Sequence, residues 1–258
     1  MDQMKAIHTE KQRMIGTFFE LGGCNAIECL AGTGLDYVII DTEHGNFTPE
    51  DVCNYIRTAE NGGLLPYVRI GSIQRPYVLQ MLDIGAKGII VPNITSVEQV
   101  KELISYAKFP PLGNRGYCPN RTTRWGSCDP SQSIDEYMAD CNLHCKLIPQ
   151  CETVEALEQI EEITALDGVD GIFVGPCDLS ISMGIPLQFN APALNAAIER
   201  ILKVCKANRK MATIFAGNSA DANRWFAKGF DSVTCGLDTS VFINAYKELV
   251  NDCKENQF

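Results

Sequence analysis

The chain has 258 residues, of which 45% are hydrophobic and 21% charged, and its formal net charge is −10 at pH 7. This composition is typical of a soluble globular protein, and the lack of any basic block disfavours binding to nucleic acid or to an anionic membrane surface. No apolar run reaches the ~20 residues of a membrane helix, and the charged first thirteen residues do not look like a signal peptide, so we expect a cytoplasmic protein.

Eight short apolar runs predict eight strands, and longer amphipathic stretches follow most of them. The predicted strands are Ile15–Phe19, Tyr37–Ile40, Leu64–Val68, Gly88–Val91, Lys146–Pro149, Gly171–Val174, Met211–Phe215 and Asp231–Cys235. Helix starts are indicated at Thr48-Pro49-Glu50-Asp51, at Thr95-Ser96 and at Thr153, the last predicting one helix to about Thr164. Eight such alternations favour a (β/α)8 TIM barrel, with residues 1–258 forming one domain.

Twelve cysteines in a chain without an export signal are typical of thiols in a reducing compartment. We expect five of them to be small buried side chains: Cys24, Cys29, Cys53, Cys205 and Cys253. The cluster Cys141-Asn142-Leu143-His144-Cys145 has zinc-ligand residue types, but no second Cys/His pair lies at zinc-site spacing, so we do not predict zinc.

Ionisable and polar side chains follow several of the predicted strands, and the carboxyl ends of barrel strands are where active sites lie. They are Asp41, Glu43 and His44 after strand two, Arg69 closing strand three, Gln150 and Glu152 after strand five, and Asp178 after strand six. Together they predict a pocket for an acidic small molecule and a metal.

These residues suggest a chemistry, and each has a structural alternative. Glu152 and Asp178 offer the oxygen ligands that suit Mg²⁺ or Mn²⁺, or they are ordinary acids at helix N-termini. Arg69 suits a substrate carboxylate or enolate oxygen, or it neutralises acids in the barrel mouth. Asp41 could orient His44 as a general base, or the strand simply becomes polar where it meets solvent. The backbone of Gly175-Pro176-Cys177 could bind an anion.

Six segments are similar to the HpcH/HpaI aldolase family, the metal-dependent class II pyruvate aldolases, in order from about Ile15 to Thr239. They are Asp41-Thr42-Glu43-His44, Pro66-Tyr67-Val68-Arg69, Gly85-Ala86-Lys87-Gly88-Ile89-Ile90-Val91-Pro92, Gly113-Asn114-Arg115-Gly116, Gln150-Cys151-Glu152-Thr153, and 168–180 with its Gly-Pro-Cys-Asp-Leu-Ser end. The resemblance implies a lyase that cleaves a 4-hydroxy-2-oxo acid to pyruvate and an aldehyde through a pyruvate enolate.

The resemblance also implies a role for each site residue. His44 is implied as the base with Asp41 orienting it, and Arg69 as the group that polarises the pyruvate keto oxygen. Glu152 and Asp178 are implied as ligands of a divalent cation, Mg²⁺ or Mn²⁺, with Co²⁺ as a further option. The implied pyruvate contacts are Gln150 and the backbone of Gly175 and Cys177. The family implies dimers, often with an exchanged C-terminal helix, that assemble into hexamers.

The chain departs from the family pattern at Thr42, at Cys177 and in the loop from Arg115 to Trp125. We expect this loop to lie above the pocket, where Arg121 and Arg124 would select a carboxylated or polyhydroxylated aldehyde; alternatively, these arginines pair with acids of a neighbouring subunit. Two other functions remain open: a citrate-lyase-β-like lyase acting on a CoA thioester, which would need a basic surface, and a non-catalytic barrel that binds 2-oxo acids.

Overall fold

Eight parallel strands close into a barrel in chain order in the computed structural model, which describes residues 13–127 and 133–255. The strands are β1 Met14–Phe19, β2 Tyr37–Asp41, β3 Leu65–Arg69, β4 Gly88–Val91, β5 Lys146–Cys151, β6 Gly171–Val174, β7 Met211–Ala216 and β8 Ser232–Leu237. All eight predicted strands are present, with bounds within about two residues of those expected from the apolar runs. The predicted (β/α)8 barrel is therefore confirmed.

Helices surround the barrel and return the chain from the carboxyl end of one strand to the amino end of the next. In the described residues they are α1 Cys24–Ala31, α2 Pro49–Asn61, α3 Arg75–Asp83, α4 Val97–Ala107, α5 Ile134–His144, α6 Val154–Glu158, α7 Ile160–Ala165, α8 Pro176–Ser182, α9 Pro192–Ala207, α10 Ser219–Lys228 and α11 Asp238–Glu255. A 3₁₀ segment, Arg121–Gly126, lies between α4 and α5. No helix in the described part of the chain is long and apolar enough to cross a membrane.

The predicted helix starts coincide with side-chain caps. Thr48 accepts a hydrogen bond from the Asp51 amide and forms a capping box with it, and Ser96 and Thr153 accept from Gln99 and Ala156 in the same way. One expectation was wrong: the helix after β5 is not continuous to Thr164 but is interrupted at Gln159, between α6 and α7. The Gln159 side chain bonds to the Val97 amide and the Thr95 carbonyl, which ties this break to the start of α4.

Large side chains fill the inside of the barrel. They are Phe18, Tyr37, Ile39, Tyr67, Ile90, Ile148 and Phe173, all buried. Two glycines make room for the tyrosines, because a Cβ on Gly16 would lie 2.2 Å from the Tyr37 ring and one on Gly88 would lie 2.8 Å from the Tyr67 ring. The barrel is thus a packed core rather than a channel, and a ligand has to bind at its end.

Alternation along each strand decides which side chains reach that end. On β2, Tyr37 and Ile39 face the inside whereas Val38 and Ile40 pack with the helices. The two-residue repeat then directs Asp41 inward, at the carboxyl end of the barrel. On β3 the same repeat takes Tyr67 to Arg69, which the register places opposite Asp41.

The expectation for the cysteines was only partly right. Cys205 is buried, Cys24 and Cys53 are half-buried, and Cys29 and Cys253 are exposed, so the last two are not core side chains. The segment from 141 to 145 lies at the end of α5, directly before β5. Its two cysteines carry thiols whose pKa is raised by burial, and its histidine pairs with Asp140 at 3.3 Å.

Candidate active site

Arg69 is the centre of the candidate site, and Asp41 holds it. The Arg69 Nε donates to one Asp41 oxygen at 2.9 Å and Nη2 donates to the other at 2.5 Å, and both side chains are buried. The guanidinium also lies 4.5 Å from the centre of the Phe18 ring. Burial lowers the pKa of Arg69, but the bonds to Asp41 and the charge of Glu43 outweigh it and raise the pKa overall. The arrangement fixes a permanent positive charge at the end of the barrel.

The sequence led us to expect that Asp41 orients His44, but the structure does not bring their side chains together. Its oxygens accept hydrogen bonds from Arg69 and from the Glu43 amide, and the imidazole of His44 lies instead near Glu43, with 3.8 Å between Nε2 and Oε2. The His44 side chain is 68% exposed at the rim of the site. The physical reason is the alternation of the strand, which ends with Asp41 turned inward while His44 lies beyond the turn.

Glu43 contacts Arg69 on β3 and Asn93 after β4, although no role was predicted for it from the sequence. Its carboxylate lies 3.2 Å from Arg69 Nη1 and accepts a hydrogen bond from the Asn93 side chain at 3.3 Å. Burial raises the pKa of Glu43, while Arg69 and His44 lower it and Asp41 and Asp178 raise it. Glu43 is thus within electrostatic reach of the acid on α8.

Glu152 carries a buried carboxylate and follows directly after β5. One oxygen accepts a hydrogen bond from the Asn93 amide at 2.7 Å, and the other accepts one from the Gln150 side chain. The pKa of Glu152 is raised to about 7, mainly by burial; the charges of Asp178 and Glu43 contribute to the rise, whereas the Asn93 hydrogen bond and the charge of Arg69 oppose it. Excess negative charge surrounds Glu152.

Gly175 contributes space beside Glu152 rather than a donor. A Cβ there would lie 2.7 Å from the Glu152 carboxylate and 3.0 Å from the Gln150 amide nitrogen, so any other residue would crowd both. Its own N–H points to the Cys151 carbonyl at 3.4 Å, which removes it from the donors we expected to bind an anion. Cys177 and Asp178 follow in the first turn of α8, where Asp178 is the acid near the helix N-terminus.

The donor set fits a divalent cation that also takes water or substrate oxygens as ligands. No group of three or more His, Cys, Asp or Glu side chains in the described residues could enclose a metal alone, but Glu152 lies near enough to Asp178 for the charge of Asp178 to raise its pKa. The Gln150 Oε1 is buried and has no hydrogen-bond partner there, as is common for an atom that a bound ligand satisfies. The carboxylates of Glu43, Glu152 and Asp178 together exceed the charge of Arg69, and a hard cation would balance them.

The arginine-containing loop lies at the opposite end of the barrel from the position we expected. Because α4 carries the chain back after β4, the residues after Ala107 start at the amino end. Arg121 forms an ion pair with Glu60, near the end of α2, and approaches the Ile84 carbonyl at 3.4 Å, just beyond α3. Arg124 lies in the same 3₁₀ segment. The expectation that Arg121 and Arg124 stand above the pocket of their own chain was therefore wrong.

Sequence reasoning missed four residues of the site: Phe18, Glu20, Asn93 and Asp238. Glu20 and Asp238 follow β1 and β8, and the Asp238 carboxylate accepts hydrogen bonds from the Glu20 and Leu21 amides. Asn93 adopts a left-handed backbone conformation, with φ 52°, which aims its amide at Glu152. A signal was available for three of them, because each is a polar residue within two positions of a strand end.

The chain is similar to known proteins over most of its length. A family model described as HpcH/HpaI aldolase/citrate lyase matches residues 14–245. A 2-keto-3-deoxy-L-rhamnonate aldolase of Klebsiella pneumoniae is 32% identical over 236 residues, which are 91% of this chain and 86% of that protein.

Solved structures give the same picture. An HpcH/HpaI aldolase from Desulfitobacterium hafniense superposes with a TM-score of 0.88 and 29% identity, covering 97% of this chain and 96% of that one. The citrate synthase SbnG superposes with a TM-score of 0.87 and 27% identity, covering 98% of this chain and 97% of that one.

Proposed function

The chain belongs to the HpcH/HpaI aldolase/citrate lyase family and is an aldolase, a carbon–carbon lyase, and we propose that it cleaves a 4-hydroxy-2-oxo acid to pyruvate and an aldehyde. The observation that carries this proposal is the guanidinium of Arg69, which Asp41 holds in place at the end of the barrel where Glu152 and Asp178 also lie. A fixed positive charge at the same end of the barrel as two candidate metal ligands is suited to a 2-oxo acid, whose reacting centre becomes an enolate.

Glu152 and Asp178 would hold a divalent cation, Mg²⁺ or Mn²⁺. When bound, the cation would polarise the 2-oxo group and balance the negative charge of the substrate. Arg69 contributes a permanent charge next to the developing enolate oxygen, and Asp41 keeps the guanidinium from rotating. Gln150, through its unpartnered Oε1, and Gly175, through the space it leaves, would shape the pocket around pyruvate. The Cys177 backbone would complete it.

His44 would move the proton. Its imidazole lies at the rim with Glu43 as its neighbour, so the ring can reach both the bound substrate and solvent. In the cleavage direction His44 would accept the proton of the substrate's 4-hydroxyl as the carbon–carbon bond breaks, and would return it to C3 of the enolate to give pyruvate. The reverse of this second transfer, removal of a methyl proton of pyruvate, is the step that proton exchange measures. Such a base contributes about 10²–10⁴ to the rate. His44→Ala should therefore lower the rate of pyruvate proton exchange by this factor, and an exchange rate equal to that of the native protein would refute the role.

The names of the relatives support a substrate class. Several of them, at 32–33% identity, are named 2-keto-3-deoxy-L-rhamnonate aldolases, after a deoxy sugar acid. We infer that this chain also cleaves a hydroxylated 2-oxo acid, which releases a hydroxylated aldehyde beside pyruvate. A citrate-lyase-β-like reaction on a CoA thioester is less favoured, because in the described residues Arg69 is the one basic residue that ends a strand at the carboxyl end of the barrel. A binding module without chemistry would not need His44.

Exchange of the methyl protons of pyruvate in D₂O tests the function without knowledge of the aldehyde. The metal-loaded protein should exchange them, and chelation should stop the exchange until the metal is restored. Glu152→Gln should remove both Mn²⁺ binding and exchange while the fold is kept. Glu155→Gln, an exposed acid on the next helix turn, is the matched control. Full activity of Glu152→Gln after chelation and metal restoration would overturn the metal assignment.

Self-association through α11 is part of the proposal. This C-terminal helix exposes a large apolar face, made of Val241, Phe242, Ile243, Tyr246, Leu249 and Val250. Exposed patches of this kind usually mark contacts between proteins. A second copy of the chain, exchanging or pairing its own α11, would cover the face, and a hexamer built from three such dimers is the assembly we propose.

A further inference from the structure

Glu20 carries a carboxylate that has no partner in the described residues. Its backbone N–H is held, since it donates to both Asp238 oxygens at 3.0 and 3.1 Å. Its side chain is half-buried, yet it accepts no hydrogen bond and forms no ion pair with any residue of 13–127 or 133–255. A residue whose backbone is fixed and whose partly buried carboxylate has no hydrogen-bond donor is a candidate for contact with a ligand.

The strand pattern directs this carboxylate into the mouth of the site. Phe18 faces the inside of the barrel and Phe19 faces the helices, so the two-residue repeat turns Glu20 inward above the Phe18 ring. That ring lies under the Arg69 guanidinium. The register that pairs Phe19 with Ile40 places Glu20 at the level of Asp41 on β2. Glu20 thus lies at the same end of the barrel as Arg69, without an ion pair between them.

The electrostatic surroundings agree with this position. Burial raises the pKa of Glu20, the charges of Asp41 and Asp238 raise it further, and Arg69 and His44 lower it. Among the described groups whose charge shifts the pKa of Glu20, Arg69 is the one that is permanently positive, and it is already bound to Asp41 and Glu43. A second anion entering on this side would therefore meet the carboxylates of Glu20 and Asp238, while the charge of Arg69 is engaged by Asp41 and Glu43.

The pyruvate part and the aldehyde part of the substrate can contact different sides of the site. The residues proposed to bind the metal and pyruvate lie on β3, β5 and β6 or just after them. Glu20 follows β1, which lies across the closed barrel from β5. We propose that Glu20 contacts the acceptor aldehyde and selects neutral, hydroxylated aldehydes over carboxylated ones. This inference rests on the proposed aldolase function. A carboxylate accepts hydrogen bonds from hydroxyl groups, and it repels another carboxylate at close range.

The test compares two small acceptors, glycolaldehyde and glyoxylate, each in aldol addition with pyruvate. The native protein should have a higher kcat/KM for glycolaldehyde. Glu20→Gln should reduce the ratio of the two values at least about tenfold, chiefly by improving the reaction of glyoxylate, because a like-charge repulsion is removed. Glu20→Ala is a second neutral variant and should shift the ratio in the same direction.

Two further variants separate charge from other effects. Glu20→Asp keeps the charge and should keep the preference for glycolaldehyde. Glu50→Gln removes an exposed acid at the start of α2, at the same end of the barrel, and should leave the ratio within about threefold of the native value. Far-UV circular dichroism and thermal melts verify that the variants are folded.

The outcomes distinguish this inference from the function on which it rests. If the native protein exchanges pyruvate protons but prefers glyoxylate, or if Glu20→Gln and Glu20→Ala both leave the ratio unchanged, the role of Glu20 is overturned and the aldolase proposal stands. If the metal-loaded native protein exchanges no pyruvate protons and forms no aldol product, both are overturned.

Discussion

Asp41 is fully buried, and both of its oxygens are bound to Arg69. Asp41→Asn removes the charge that fixes the guanidinium and leaves a buried arginine with Glu43 as its remaining acid. We expect kcat/KM for cleavage to fall about 10²–10³-fold, the size of effect typical for the loss of an oriented charge in an active site.

The pH profile distinguishes this role from the one expected from the sequence. If Asp41 acts through Arg69, the rate of Asp41→Asn should fall at every pH with the shape of the profile kept. A displaced acidic limb would show instead that Asp41 acts through His44. Glu43→Gln, which removes a single contact of Arg69, is the control and should have the smaller effect at neutral pH.

Glu152 makes the metal-free protein sensitive to pH. Burial raises its pKa to about 7 in the folded protein, whereas the unfolded chain releases the proton near 4.5. The folded state therefore binds the proton more strongly, and the free energy of unfolding falls as the pH rises from about 4.5 to about 7 and then levels off. The difference amounts to ~3 kcal/mol at most.

Urea unfolding of metal-free protein at pH 5 and pH 8 tests this. Glu152→Gln has no such proton to lose, so it should be more stable than the native protein at pH 8 and nearly equal to it at pH 5. Burial also raises the pKa of Glu43 and of Glu20, which act in the same direction in both proteins and cancel in the comparison. A native protein that is the more stable of the two at pH 8 would contradict the prediction.

The sequence predicted which residues reach the site better than it predicted their contacts. Strand ends are visible as the points where apolar runs stop, and Asp41, Arg69, Gln150 and Glu152 all lie there. Contacts depend on register between strands, and the pairing of Asp41 with Arg69 is a register position that no single segment reveals. The spacing from Asp41 to His44 suggested a pair, but a turn separates the two side chains.

At the scale of elements, the connection between α4 and β5 shows where such reasoning fails. The arginines of this loop follow β4 in sequence, yet a helix of 11 residues lies between and carries the chain to the amino end. The length of a helix is visible in its periodicity, so the error was to count from the strand rather than from the helix. Cap residues, in contrast, located the helix starts, because their side chains bond locally.

Arg121→Ala should therefore act on stability and leave acceptor choice unchanged. Its pair with Glu60 is partly buried, and Glu60 also binds Lys87 at 3.0 Å, so we expect a loss of about 1 kcal/mol in urea unfolding. Arg200→Ala breaks an exposed pair with Glu161 and should cost less. A change in the ratio of kcat/KM for two aldehydes in Arg121→Ala would place this loop at an active site, that of a neighbouring subunit.

At the scale of the whole molecule, the apolar face of α11 should determine the oligomeric state. Phe242 packs against Tyr246 on this face, with ring centres 4.8 Å apart, and both are half-exposed in the isolated chain. Phe242→Glu should shift the protein to a smaller species in size-exclusion chromatography with light scattering, because a buried charge opposes association. Lys247→Gln, on the same helix, should not. An unchanged mass for Phe242→Glu would exclude this face as the contact.

The tyrosines and phenylalanines that fill the barrel close the inner side of the site, so that ligands enter and leave from the carboxyl end of the barrel. Pyruvate held near Gln150 and Gly175 would lie deep, with the aldehyde between it and solvent on the side of Glu20. Release in the cleavage direction would then be ordered, aldehyde first and pyruvate last. In steady-state kinetics, pyruvate should be a competitive product inhibitor against the cleaved acid, and the aldehyde a noncompetitive one.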